Sequence, residues 1–292
     1  MVRWLALIAG LILFLSAAAQ PVSVKDDRGR VVTINRPVQR IVTLAPHLTE
    51  LAYAAGAGEK LVGVARHSDY PPAAAGIPQV GDAIRVDVEA VLALKPDLVL
   101  AWRSGNPPAE VVRLERIGLP VLATEPGRLS DIPRLLRAIG TLAGSGGHAQ
   151  MAATDFEGEI QALRERNAKA RRIRVFYVIW HKPLLTVNGA HLISEIISLC
   201  GGENIFADLG QLTPNITLEA LIAARPVAIL GGASAGGAKG FAEQWRATAV
   251  PPLRDLPAHY IDPDLIQRPT PRIVGGVRAV CSALEDVRRN RG

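Results

Sequence analysis

Residues 87–96 (DVEAVLALKP) and 217–226 (TLEALIAARP) follow one pattern, and this internal echo constrains the fold more than any other feature of the chain. Each segment opens on a good helix-capping side chain, Asp87 or Thr217. Each places a glutamate two positions later, Glu89 or Glu219, where the helix dipole favours an anion. Each closes on a cation and a proline and runs into an apolar stretch. A weaker echo in the same order relates 50–56 to 195–201. A chain that repeats a helix–strand unit in this way predicts two similar α/β lobes, with a ligand cleft between them.

The rest of the chain fits that plan. Short apolar runs at 41–44, 61–64, 98–101 and 121–123 alternate with helical patterns at 48–55, 88–94, 109–117 and 132–143. Strand patterns resume at 174–179, 227–230 and 259–260, with helices at 191–199, 218–224 and 270–287. Such alternation indicates mainly parallel strands. A hairpin is expected at 22–24 and 31–34, around Asp26-Asp27-Arg28-Gly29. The run Gly144-Ser145-Gly146-Gly147 breaks the pattern, and helix formers then continue from His148 to about Ala170. The expected fold class is therefore α/β, two similar lobes joined by a single long helix. The expected divisions are a first lobe over 20–145, a linker helix over 146–172 and a second lobe over 173–292.

The N-terminus predicts export. Arg3 supplies a positive start, 4–15 is apolar, and Ala17 and Ala19 fit a small-x-small cleavage site. The apolar run is shorter than the roughly 20 residues that span a membrane. A signal peptide over 1–19 is thus expected, leaving a protein that is free in the periplasm. No cysteine lies near the cleavage point to carry a lipid. The two cysteines, Cys200 and Cys281, are expected to form a disulfide in an oxidising compartment, with two buried free thiols as the alternative.

Charge and motifs exclude several functions. The net charge is +6, and basic residues are mostly interspersed with acids. The densest basic run, Arg164 to Arg174, reads as the solvated C-terminal end of a helix rather than a nucleic-acid patch. No P-loop or dinucleotide fingerprint is present, so any ATPase partner is a separate chain. Six histidines lack the i,i+4 pairing of a zinc site, so no metal site is expected. Gly232-Ala233-Ser234-Ala235-Gly236 matches the pattern of a hydrolase nucleophile elbow at Ser234. Helix formation looks poor until Phe241, and His259 is the only later histidine, so chance accounts for the match better and no enzyme is expected.

Several segments carry a family resemblance: RIVTLAP with Thr49-Glu50-Leu51, SDYPP at 68–72, LKPDLV at 94–99, Ala101-Trp102-Arg103, CGGENIF at 200–206 and Pro271-Arg272-Ile273. Together they resemble the periplasmic solute-binding proteins of the vitamin B12 and iron-siderophore ABC import class, over nearly the whole mature chain. SDYPP and CGGENIF are most similar to its corrinoid-binding branch. The resemblance implies two lobes on a rigid helix and a Cys200–Cys281 bridge within the second lobe. It implies that Glu89 and Glu219 dock to arginines of an inner-membrane permease that has a cytoplasmic ATPase. Otherwise both are ordinary first-turn glutamates. It implies a cleft with Tyr70 and Trp102 as aromatic walls and Asp264 and Arg268 as polar contacts. Ala83, Leu185 and Thr213 depart from the aromatics of the corrinoid pattern, whereas Trp180, His181, His67 and Arg85 are available to compensate. The expected cargo is cobalamin or a related corrinoid, carried rather than kept as a cofactor, by a monomer that binds no nucleic acid. The alternative cargo is haem or an iron-siderophore, drawing on Arg66, Arg85, Arg103 and Arg268, or on Tyr70, His47 and His67 as iron ligands.

Overall fold

Each half of the chain builds its own four-stranded sheet, and the two share one topology. The computed structural model describes residues 21–82, 84–232, 236–248 and 250–290. After the hairpin of β1 (Val22–Lys25) and β2 (Val31–Ile34), the first lobe runs through β3 (Ile41–Thr43), α1 (Pro46–Ala54), β4 (Leu61–Val64), α2 (Val88–Ala93), β5 (Leu98–Trp102), α3 (Pro108–Arg116), β6 (Val121–Thr124) and α4 (Asp131–Ala143). The long helix α5 (Gly146–Asn167) follows. The second lobe begins with β7 (Ile173–Val178), β8 (Trp180–His181), β9 (Leu184–Leu185), α6 (Leu192–Leu199), β10 (Gly202–Asn204) and α7 (Leu218–Ala223). It ends with β11 (Ala228–Gly231), α8 (Gly237–Arg246), α9 (Pro251–Arg254), β12 (Ala258–Tyr260), α10 (Pro263–Ile266) and α11 (Ile273–Arg289).

The first sheet has the order β4-β3-β5-β6 and the second β10-β7-β11-β12. Every pairing in both is parallel. Setting aside the β8–β9 hairpin, each lobe therefore has strand order 2-1-3-4, so the sequence echo is an echo of topology. β3, β6 and β11 are buried along their whole length, as strands covered on both faces must be.

The repeated segments behave alike in detail. The Asp87 carboxylate accepts the Ala90 N–H at 2.9 Å, and the Thr217 hydroxyl accepts the Ala220 N–H at 3.2 Å. Both caps satisfy a donor that the helix itself leaves unpaired. Both short helices then end on a non-glycine residue with positive φ, Lys95 at 47° and Arg225 at 43°. The proline after each disfavours the right-handed helical region, so the chain turns out of the helix there.

Several boundaries differ from expectation. α5 starts at Gly146, inside the glycine run; the break is confined to Gly144, which closes α4 at φ 72°. α8 starts at Gly237 rather than Phe241, because burial of Phe241 and Trp245 outweighs the poor propensity of its first turn. α11 starts at Ile273 rather than Thr270, whose hydroxyl is drawn to Glu50 at 2.9 Å.

Apolar packing explains the arrangement. One cluster covers the outer face of the first sheet, including Val42, Val88, Val99 and Leu114. Another covers the outer face of the second, including Phe176, Ile229, Phe241 and Trp245. The largest runs from Ile41 and Leu51 through Ala149, Ala153, Phe156 and Ile160 of α5 to Ile193, Val277 and Leu284 of the second lobe. α5 is thus packed into a core that both lobes share. A Cβ at Gly140 of α4 would meet Ala149 Cβ at 2.3 Å, so glycine permits the close contact of α4 with α5. Cys200, at the end of α6, is bonded to Cys281 in α11, inside the second lobe. The basic run ends as structural contacts: Arg172 donates to the Gly202 carbonyl at 3.0 Å, and Arg174 to Glu203 at 2.9 Å and the Ala224 carbonyl at 2.7 Å.

Candidate ligand-binding cleft

In open parallel sheets, ligands gather beyond the C-terminal strand ends, where strand order reverses. In the first lobe that point lies between β3 and β5. Pro46 and His47 follow β3, Trp102 ends β5, and Glu125 to Gly127 follow β6. All of these line a cavity of about 350 Å³. The facing wall comes from the second lobe: Ala190, His191 and Leu192 at the start of α6, Leu212, and Pro263, Asp264 and 266–269 after β12.

Trp102 is held on several sides. Its backbone N–H donates to the Asn106 side chain at 2.6 Å, and that side chain donates to the Leu44 carbonyl at 2.8 Å. The indole Nε1 donates to Glu125 at 3.3 Å. His47 packs edge-on against the indole, with ring centroids 5.2 Å apart and planes at 89°. An aromatic wall fixed this way loses little entropy when a ligand packs on it. His47 is buried, and among the described residues its Nε2 has no hydrogen-bond partner. Burial, and then the nearby Arg268 charge, push its pKa down to about 3. His191 caps α6, and its Nδ1 accepts the Ile193 N–H at 3.1 Å. Burial lowers its pKa to about 4. Both imidazoles are therefore neutral near pH 7.

Charged side chains join the lobes beside this cavity. Glu50 of α1 has a side chain only 2 % exposed. Its carboxylate accepts from Arg268 at 2.9 Å, Arg272 at 3.1 Å and the Thr270 hydroxyl at 2.9 Å. Arg268 also reaches Asp69 at 2.7 Å and Asp264 at 3.0 Å. The hydrogen bond from Arg268 holds the Asp69 carboxyl below its usual range. The Arg272 guanidinium lies over the Tyr70 ring, 3.8 Å from its centroid. The seam has a counterpart: Glu195, which echoes Glu50, accepts the Leu129 N–H of the first lobe at 3.0 Å.

The residues expected at the site are distributed as follows. Trp102, Asp264 and Arg268 line the cavity. Tyr70 lies outside that wall, 43 % exposed and stacked on Arg272. Leu185 is half-buried in β9, Thr213 is exposed, and Ala83 lies outside the described residues. Of the compensating candidates, Trp180 is exposed and donates to the Lys182 carbonyl, while His181 packs on Phe241 and Trp245. His67 and Arg85 are exposed and do not line the cavity. Glu89 and Glu219 are exposed in the first turns of α2 and α7, Glu89 paired with Arg113 at 3.0 Å. Glu219 accepts from its own backbone N–H and from Thr217, which lowers its pKa. Residues 1–19 and Ser234 lie outside the described residues. Among the described residues no group of three or more metal-binding side chains occurs, and no helix is long and apolar enough to cross a membrane.

Glu125, Ser104, His191 and Glu50 were not anticipated as cleft or seam residues. The sequence signals for Glu50 were its echo in Glu195 and its place in the Thr49-Glu50-Leu51 segment. Glu125 sits in a loop with no motif around it, and Ser104 lies just past the Ala101-Trp102-Arg103 segment.

A family profile described as "Periplasmic binding protein" matches residues 41–258. The chain belongs to the periplasmic binding protein family. Among relatives of this binding protein, the vitamin B12-binding protein of Vibrio parahaemolyticus is 37% identical over 257 residues, covering 88% of this chain and 93% of the relative. The vitamin B12-binding protein of Pectobacterium carotovorum is 37% identical over 285 residues, covering 97% and 95%. The crystal structure of the periplasmic vitamin B12-binding protein of Vibrio cholerae superimposes with a TM-score of 0.78 at 36% identity, covering 86% of this chain and 98% of that one. A periplasmic haem-binding protein from Roseiflexus sp. RS-1 shares the fold, with a TM-score of 0.74 at 24% identity, covering 85% and 98%. The family binds solutes rather than transforming them, so this binding protein is not an enzyme.

Proposed function

We propose that this protein captures vitamin B12 or a related corrinoid in the periplasm and hands it to the permease of an ABC importer. The observation that carries the reading is the long match to vitamin B12-binding proteins, at 37% identity over 97% of the chain for one relative. The cavity supports it. Among the described residues the charged side chains that line it are Glu125, Asp264 and Arg268, and Arg268 is already paired with Glu50, Asp69 and Asp264. Arg66, Arg85 and Arg103 do not line it. Such a wall suits a neutral ligand with an amide fringe better than a ligand bearing carboxylates. Trp102 supplies a fixed face for a macrocycle, and Asp264 a polar contact from the other lobe. Tyr70 stands at the seam, with Arg272 across its face. Glu89 and Glu219, one exposed on each lobe, are the contacts for permease arginines. The signal peptide over 1–19 directs the chain to the periplasm, and the ATPase is another chain.

Haem is the second reading, favoured by two neutral imidazoles, His47 and His191, in the cavity wall. Titration calorimetry with cyanocobalamin, cobinamide, haem and a ferric siderophore separates the two. Corrinoid binding without haem binding is the expected result; binding of haem or the siderophore alone would overturn the corrinoid assignment and leave the importer role standing.

A further inference from the structure

The polar groups around Trp102 have a use that packing alone does not explain. Glu125 lines the cavity, and one of its oxygens, Oε1, accepts both donors that reach it: the Trp102 indole N–H at 3.3 Å and the Ser104 hydroxyl at 2.8 Å. Its backbone is pinned as well, because the Glu125 N–H donates to the Asp27 carboxylate. Among the described residues both hydrogen bonds to this carboxylate end on Oε1, and none ends on Oε2. The carboxylate is therefore oriented by one oxygen and open at the other. Across the cavity, His191 is oriented too. Its Nδ1 is occupied by the Ile193 N–H, so the neutral ring carries its proton on Nε2. The cavity thus offers a fixed acceptor on one lobe and a fixed donor on the other.

We infer that Glu125 and His191 form a selective site for a neutral primary amide of the ligand, with Glu125 Oε2 accepting its N–H and His191 Nε2–H donating to a carbonyl. This rests on the corrinoid reading and deepens it, since a corrin ring is fringed with acetamide and propionamide arms. An amide gains at Glu125 and a carboxylate is repelled there, so Glu125 is a residue that sets specificity. Discrimination arises because this half-buried acceptor, facing an anion, has no donor and like charge beside it. Asp264, also on the cavity wall, adds to the same field.

The test uses the purified full-length mature protein with cyanocobalamin and with cyanocobalamin monocarboxylates, in which one side-chain amide has been hydrolysed. For at least one monocarboxylate isomer, wild type is expected to bind cyanocobalamin about tenfold or more tightly at pH 7.5. In Glu125→Gln, whose amide can donate to a carboxylate, that ratio should fall toward one. Binding of the monocarboxylate to wild type should strengthen as pH falls and its carboxylate protonates, and Glu125→Gln should flatten that dependence. A residue that merely holds Trp102 would weaken all these ligands by the same factor, and an unchanged ratio and pH profile in Glu125→Gln would overturn the proposal. His191→Phe, which keeps an aromatic ring but no donor, should weaken cyanocobalamin without altering the amide-to-carboxylate ratio. If wild type binds haem and no corrinoid at all, the functional reading falls and this inference with it.

Discussion

His47 illustrates how far a single residue is governed by its surroundings. In the unfolded chain it is an ordinary imidazole, with a pKa near 6.5. In the fold it is buried against Trp102, close to the charge of Arg268, and its pKa is about 3. Between those values the unfolded state binds a proton that the native state refuses. Stability from this residue is therefore complete above pH 6.5 and is lost as pH falls, at up to about 1.4 kcal/mol per pH unit. His47→Phe should remove this contribution. Denaturant unfolding at pH 7 and pH 5 should show a loss smaller than that of wild type by about 2 kcal/mol. Equal losses in the two proteins would mean that His47 is hydrated or protonated in the native state. Asp69 runs in the same direction for a different reason: its carboxyl is depressed by Arg268, so its contribution is present at neutral pH and lost on acidification through its native pKa.

Between elements, the seam depends on burial more than on the number of ion pairs. Arg268, which follows α10, contacts two carboxylates of the first lobe, Glu50 of α1 and Asp69 in the loop after β4. The Glu50 side chain is 2 % exposed and that of Asp69 is 61 % exposed. Removing Glu50 leaves Arg268, Arg272 and Thr270 without their shared acceptor in a largely dry site. Glu50→Ala should cost about 3 kcal/mol of unfolding free energy. Asp69→Ala breaks a bond to the same guanidinium in solvent and should cost under about 1 kcal/mol. Thermal unfolding of the two variants side by side checks the order. A loss at Asp69→Ala equal to that at Glu50→Ala would mean that water reaches both carboxylates equally.

Across the molecule, two predictions depend on how the lobes are tied and presented. The Cys200–Cys281 bridge closes a sequence separation of 81 residues within the second lobe. In the chain-entropy account a loop of this size is worth about 4.5 kcal/mol, so Cys200→Ser/Cys281→Ser should unfold at markedly lower denaturant. An unchanged midpoint would show that α6 and α11 are held by packing alone. Glu89 and Glu219 occupy equivalent, exposed positions on opposite lobes. The double variant Glu89→Ala/Glu219→Ala should bind corrinoid as wild type does and fail to support its uptake. Normal uptake would rule the pair out as docking contacts and leave them as first-turn glutamates of their helices.

The sequence alone determined the α/β class, the two-lobe plan and the pairing of repeated units, because caps, prolines and apolar periodicity act through neighbours in the chain. The echo of 87–96 in 217–226 was legible for that reason, down to the glutamates that follow the caps. Trp102, Asp264 and Arg268 were placed through family resemblance, and the fold brings them to one cavity. Tyr70, expected as a wall from the same resemblance, stands at the seam with Arg272 over its ring. The start of α8 at Gly237 was missed because burial of Phe241 and Trp245 overrides local propensity. Glu125, Ser104, His191 and Glu50 acquire their roles only from residues distant in the chain, such as the Glu50 contacts with Arg268, Thr270 and Arg272. Local signals specify elements. Burial, charge pairing and the direction in which a side chain faces arise only when two lobes meet, so only the tertiary structure could decide them.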